Sequence, residues 1–145
     1  MDSTGKSAAK WLARWSLVAT MVGVGALHFI AEPYFTQIVP PFLPAPKVLV
    51  WISGVFEIGL GLALLPVVTR RLASYGLVAL YLAVFPANIY MALYNVQLQG
   101  LPEGLHPSPL ALWLRLPFQF VFIAWAIWVG RPVVAAQPTR TATRA

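Results

Sequence analysis

Residues 48–66 read VLVWISGVFEIGLGLALLP, an apolar run with one ionisable group, Glu57, close to its middle. At about 1.5 Å of rise per residue, a helix of this length matches the roughly 30 Å hydrocarbon core of a bilayer, so the run reads as a membrane-spanning helix. A carboxylate at that depth costs about 2.5 to 3.5 kcal/mol on insertion scales. It must therefore be paired, protonated or functional, and the other apolar runs can be read by what they offer it.

Composition points the same way. The 145 residues are 59% hydrophobic and 10% charged, with mean hydropathy +0.75, which places the chain in the membrane class. The formal charge of +6 would point to a polyanion in a soluble protein. Here the basic residues flank the apolar runs, so topology accounts for them and no nucleic-acid partner is expected. The absence of cysteine excludes disulfides, thiolate nucleophiles, cysteine-ligated iron–sulfur clusters and zinc–thiolate sites. Two histidines, His28 and His106, are too few for a multi-histidine metal site within one chain. No nucleophile and base pair, phosphate-cradling glycine loop or metal-ligand spacing occurs. No catalytic residue and no metal ligand is assigned, and the reading leans towards a chain with no catalytic activity of its own.

Working outward, four spans are expected at about 11–31, 48–67, 72–94 and 110–129. They form an all-α, four-helix transmembrane domain over 11–130, between a cytoplasmic segment 1–10 and a disordered cytoplasmic tail 131–145. The basic start followed by an uncharged run also fits a secretory signal cut near Gly23-Val24-Gly25. Apolarity continuing to Ile30 and three later spans favour an uncleaved first helix. Residues 31–47 hold five prolines, which no continuous helix tolerates. Their aromatics, Tyr34, Phe35 and Phe42, mark an interfacial segment on the extracytoplasmic face. Residues 96–109 form a second outer loop, with His106 solvated. Eight of the ten basic residues (Lys6, Lys10, Arg14, Arg70, Arg71, Arg131, Arg140 and Arg144) fall on one side, Lys47 on the other and Arg115 within a span. Both termini are therefore expected in the cytoplasm.

The polar residues within the spans fall at similar depths. Glu57 and Gln119 lie near the midplane, with His28, Asn88 and Arg115 roughly 7 to 10 Å outward of it. Lipid-facing positions would be prohibitive for Glu57 and Arg115, so the five are expected in one polar pocket opening to the outer side. The expected internal arrangement is an Arg115–Glu57 ion pair, with Asn88, Gln119 and His28 supplying hydrogen bonds. Ser53, Glu57 and Gly61 share a helical face whose small residues suit close helix approach. Pro86 should expose the carbonyl of Leu82 and kink its helix beside Asn88, which shares a face with Tyr81 and Asn95. The plain alternative is that the ion pair only locks the helices in register and Asn88 only bridges helices.

Four stretches, GALHFIAEPYFTQIVPPFLPAP at 25–46, SGVFEIGLGLALL at 53–65, RRLASYGLVALYLAVFPANIYMAL at 70–93 and WLRLPFQFVFIAWA at 113–126, together resemble the DoxX family of small bacterial and archaeal membrane proteins. The resemblance implies a compact bundle of four transmembrane helices in a prokaryotic inner membrane and, from the family's namesake, association with a thiosulfate:quinone oxidoreductase. It carries no catalytic residue onto this chain. The expected function is thus a small subunit of quinone-linked redox metabolism, with quinone as candidate cofactor and a membrane redox partner or a second copy as candidate partner. The alternatives are a non-catalytic scaffold or assembly factor and, less well supported, a small-solute or proton carrier through Glu57. No internal repeat supports an inverted-repeat transporter.

Overall fold

The computed structural model describes residues 3–102 and 104–131. Among the described residues five helices follow one another: α1 (Ser3–Ile30), α2 (Glu32–Gln37), α3 (Pro46–Ala63), α4 (Val67–Leu93) and α5 (Pro109–Gly130). Four are long and apolar enough to cross a membrane, namely α1 from Ser7, α3, α4 and α5. The chain is an all-α, four-helix membrane bundle. Apart from Arg131, the expected tail 131–145 lies outside the described residues, and α1 begins within the segment expected to precede the first span.

Proline sets most boundaries, because its ring fixes φ and removes a donor that only a first helical turn can spare. Pro33 lies in the first turn of α2, and Pro46 and Pro109 open α3 and α5. Pro66, with extended backbone, stands immediately before α4. Ser108 adds a side-chain cap, accepting a hydrogen bond from the Ala111 amide at 3.2 Å. No continuous helix runs through 31–47, as its prolines require: the short α2 folds back over the ends of α1 and α3, and α3 begins at Pro46.

The helices pack as two tight pairs, α1 with α3 and α4 with α5, joined along α3/α4 and more loosely along α1/α5; α3 and α5 stand diagonally across the bundle without contact. At the end holding the start of α1 and the end of α5, here the terminal end, the interior is solid with Leu17, Val18, Met21, Leu64, Ala73, Leu77, Ala126 and Val129. At the opposite, loop end a smaller cluster of Ile38, Met91, Ala92 and Leu112, backed by Phe35 and Leu116, closes the top. The space between these two plugs is not filled.

Glycine decides how close α1 and α3 come. A Cβ built on Gly54 would stand 2.8 Å from the His28 Cβ and 2.9 Å from the Gly25 carbonyl oxygen, and one on Gly25 would stand 2.9 Å from the Gly54 carbonyl oxygen and 3.1 Å from the Glu57 Cβ. The two backbones touch where neither residue has a side chain. Gly61 repeats the contact one turn pair further on, against the Met21 Cβ at 2.8 Å. The close face is therefore built on Gly54 and Gly61. Ser53, expected on that face, instead lines the interior space, and its hydroxyl donates to the Leu49 carbonyl at 2.7 Å.

The terminal end is tied by basic side chains on helix C-termini, where unpaired carbonyls and the negative pole of the helix dipole collect. Lys10 Nζ donates to the Arg131 carbonyl at 2.6 Å and Arg14 Nη2 to that of Val129 at 3.5 Å, both at the end of α5. Arg70 donates through Nε and Nη2 to the Leu64 and Leu65 carbonyls beyond α3, at 3.0 and 2.7 Å. Trp125 Nε1 donates to the Ala13 carbonyl at 3.1 Å, closing the α1/α5 seam at this end.

Candidate functional site

A cavity of about 510 Å³ occupies the unfilled middle of the bundle. All four spans contribute walls, and the segment from Phe35 to Leu43 roofs it. His28, Glu57, Asn88, Arg115 and Gln119, the five polar residues gathered by depth alone, all line it. The rest of the lining is almost wholly apolar, including Met21, Val24, Ile52, Val84 and Phe118. The volume falls among those of small-molecule sites, which are apolar with a few placed polar groups.

The five residues divide into two groups by what they already hold. Asn88 Nδ2 donates to Gln119 Oε1 at 2.8 Å, and Gln119 Nε2 donates to the Tyr81 carbonyl. This ladder pins α4 to α5 and uses a backbone acceptor one residue before the expected Leu82, still within the turn that Pro86 disturbs. Tyr81 stands on the same face and its hydroxyl donates to Met21 Sδ at 3.1 Å, bridging α4 to α1. Asn95, expected to continue that face, lies beyond α4 in left-handed backbone, φ 46°.

His28 and Glu57 form the second group. His28 Nδ1 lies 2.9 Å from the Val24 carbonyl oxygen and 3.3 Å from Glu57 Oε2. A carbonyl can only accept, so Nδ1 carries a proton and donates it to Val24, which leaves Nε2 as the free nitrogen. Glu57 Oε2 is buried, and among the described residues it has no hydrogen-bond partner. Phe35 stacks on the imidazole at 4.2 Å between ring centres, fixing the ring beneath the roof.

The expected Arg115–Glu57 ion pair is not formed. Glu57 pairs with His28 instead, because the glycine contact presses α3 against α1, whereas α5 stands diagonally opposite with the cavity between. Depth along the membrane normal predicted the shared level; it carries no information on direction around the bundle. The signal that could have found the pair is Gly-x-x-His at 25–28 and Gly-x-x-Glu at 54–57. On two antiparallel helices crossing at these glycines, each polar side chain lies over the partner's glycine. Arg115 is left on the cavity wall, Nη1 reaching Met91 Sδ at 3.9 Å, with no carboxylate in ion-pair range among the described residues.

Outside the spans, Glu32 accepts from the Thr36 hydroxyl at 2.6 Å and pairs with Lys47 at 3.2 Å, which ties α2 to the start of α3. The Thr36 hydrogen bond foremost, and then Lys47, hold the Glu32 carboxyl below its usual range. His106, as expected, is exposed in the second loop. Among the described residues, no group of three or more His, Cys, Asp or Glu could hold a metal ion.

Residues 17–130, which take in α2 to α5 and the second half of α1, match the family model described as Domain of unknown function (DUF8561). The chain belongs to the DUF8561 family. No curated protein and no solved structure matches it. In this DUF8561 chain the matched stretch contains the whole cavity lining, from Thr20 to Phe122.

Proposed function

We propose that this DUF8561 protein is a DoxX-like small subunit of quinone-linked redox metabolism in the cytoplasmic membrane of a prokaryote, and that its cavity holds a bilayer-soluble molecule with one or two polar head groups, a quinone being the candidate. The supporting observation is the form of the cavity. Its walls are apolar, its polar groups stand apart at the His28–Glu57 pair and at Arg115, and several lining residues also face outward. Ile52 is 47% exposed and Phe118 56% exposed on the lipid-facing surface, while the Phe35–Leu43 roof covers the loop end. A ligand would therefore enter sideways from the bilayer. A quinone head suits it, its carbonyl accepting from Arg115 on one wall and, in the reduced form, its hydroxyl donating to the free His28 Nε2 on the other. With the basic residues concentrated at the terminal end, this orientation puts both termini in the cytoplasm and the cavity in the outer half of the membrane.

A second reading, a non-catalytic scaffold or assembly factor, is favoured by one specific observation: Asn88 and Gln119 already spend their bonds on each other and on the backbone. The two readings part on what comes out with the protein. Wild type, Asn88→Leu and His28→Phe would be extracted in mild detergent, and copurifying quinone or lipid-like species measured together with thermal stability. A site predicts a stoichiometric bound species that His28→Phe loses without unfolding. If both variants keep the wild-type stoichiometry, or wild type carries nothing, the scaffold reading replaces it.

A further inference from the structure

The terminal end of the bundle holds a second concavity that plays no part in the cavity above. Five basic residues with described side chains surround this end, Lys10, Arg14, Arg70, Arg71 and Arg131, and among the described residues none of them pairs with a carboxylate. Three are already engaged with carbonyls, Lys10 and Arg14 at the end of α5 and Arg70 beyond α3. The guanidinium groups of Arg71 and Arg131 make no hydrogen bond among the described residues. Both line a cavity of about 270 Å³ between α4 and α5, together with Ser74, Tyr75, Ile127 and Gly130.

The local chain explains the shape. Gly130 ends α5 without a side chain, and a Cβ there would land on the Ser74 hydroxyl, so the two helices touch and form a floor. Arg131 then leaves in extended backbone, φ −70° and ψ 141°, and forms one wall. Arg71 lies over the Tyr75 ring, 5.9 Å from its centre, and forms the other. Tyr75, which lines the cavity, is 53% exposed, and Leu72 and Trp128, next in sequence to the lining residues Arg71 and Ile127, are 76% and 45% exposed, an apolar and aromatic rim of the kind found where a bilayer's hydrocarbon gives way to its headgroups.

We propose that this cavity seats the phosphate of an anionic phospholipid, with Arg71 and Arg131 as its two cationic contacts and the exposed rim packed by the lipid's acyl chains. Charge complementarity carries the choice: the wall is doubly cationic, no protein carboxylate among the described residues neutralises it, and phosphates of the leaflet lie at this level. A free phosphate would meet the same two arginines but would leave the apolar rim uncovered, so the two sources are separable.

The test uses the full chain in detergent, titrated with phosphatidylglycerol, phosphatidylcholine or inorganic phosphate, with thermal midpoint and native mass spectrometry as readouts. Phosphatidylglycerol should raise the midpoint and remain bound at one copy more than phosphatidylcholine does. Arg71→Gln with Arg131→Gln should weaken that binding by roughly thirtyfold, about fivefold for each charge. Arg71→Lys with Arg131→Lys should keep most of it, and Lys47→Gln at the other end should leave the response to lipid unchanged. An equal response to both lipids, an undiminished response in the double glutamine variant, or an equal response to inorganic phosphate would overturn the proposal. The comparison of lipids on wild type decides even if the double variant does not fold.

Discussion

Substituting alanine for glycine at the α1/α3 crossing isolates the contact that brings His28 to Glu57. In Gly54→Ala the new methyl would stand 2.8 Å from the His28 Cβ and 2.9 Å from the Gly25 carbonyl oxygen. Optimal carbon contacts are about 3.5 to 4.0 Å, so α1 and α3 must separate by roughly 0.5 to 1 Å. Overpacking of this kind costs about 1 to 3 kcal/mol, while replacing a mid-helix glycine by alanine returns about 0.5 to 1 kcal/mol of propensity. The net change alone would be ambiguous. The control is Gly59→Ala on the same helix, where the added Cβ meets nothing within 4 Å. Both variants gain the same propensity, so their difference leaves only the packing term, and Gly54→Ala should be the less stable by about 1 to 3 kcal/mol. Unfolding in a detergent series measures it, with Gly25→Ala expected to follow Gly54→Ala and Gly23→Ala to follow Gly59→Ala. Equal stabilities for Gly54→Ala and Gly59→Ala would refute the close-contact argument and, with it, the explanation of why Glu57 faces His28.

Further expectations concern pairing, pinning, topology and pH. Double-mutant cycles should give a larger coupling for Glu57→Gln with His28→Phe than for Glu57→Gln with Arg115→Met, and the reverse order would restore the diagonal ion pair. Asn88→Leu should cost about 1 to 2 kcal/mol in detergent stability through loss of the Gln119 bond; no loss would mean that the amide ladder does not hold α4 to α5. A cysteine at Ser108 should react with an impermeant thiol reagent from outside intact cells, and one at Val68, which is 94% exposed at the terminal end, should not; the opposite pattern inverts the proposed topology. The Glu32 carboxyl, held below its usual value in the folded chain, contributes stability that is present above the ordinary carboxylate range and lost as pH falls through the lowered value. Thr36→Val should therefore reduce the acid sensitivity of thermal unfolding, and an unchanged profile would show that the α2 tie contributes nothing.

The bundle was legible because it rests on coarse quantities. Four apolar runs of bilayer length and prolines beside them define four helices and their order, and no fine packing is needed to read that. The cavity's five polar residues were legible by the same means, since rise per residue converts sequence number into depth. What depth cannot supply is direction around the helix axes: charge alone matches Glu57 with Arg115, whereas the Gly25–Gly54 contact brings it to His28. The work of Lys10, Arg14 and Arg70 on helix carbonyls was hidden for a different reason. Their positions satisfy the topological rule whether or not the side chains bond anything, so sequence position alone does not reveal the carbonyls they hold.

The central claim, that the cavity takes a molecule from the bilayer, is tested most directly by photo-crosslinking with a lipophilic quinone analogue followed by peptide mapping. Labels should concentrate on the lining residues Val50, Ser53 and Glu57 of α3 and Tyr81, Val84 and Asn88 of α4, and an excess of unlabelled quinone should displace them. Labels confined to outward-facing residues such as Val55, Phe56 and Val121, or unaffected by competitor, would contradict the account.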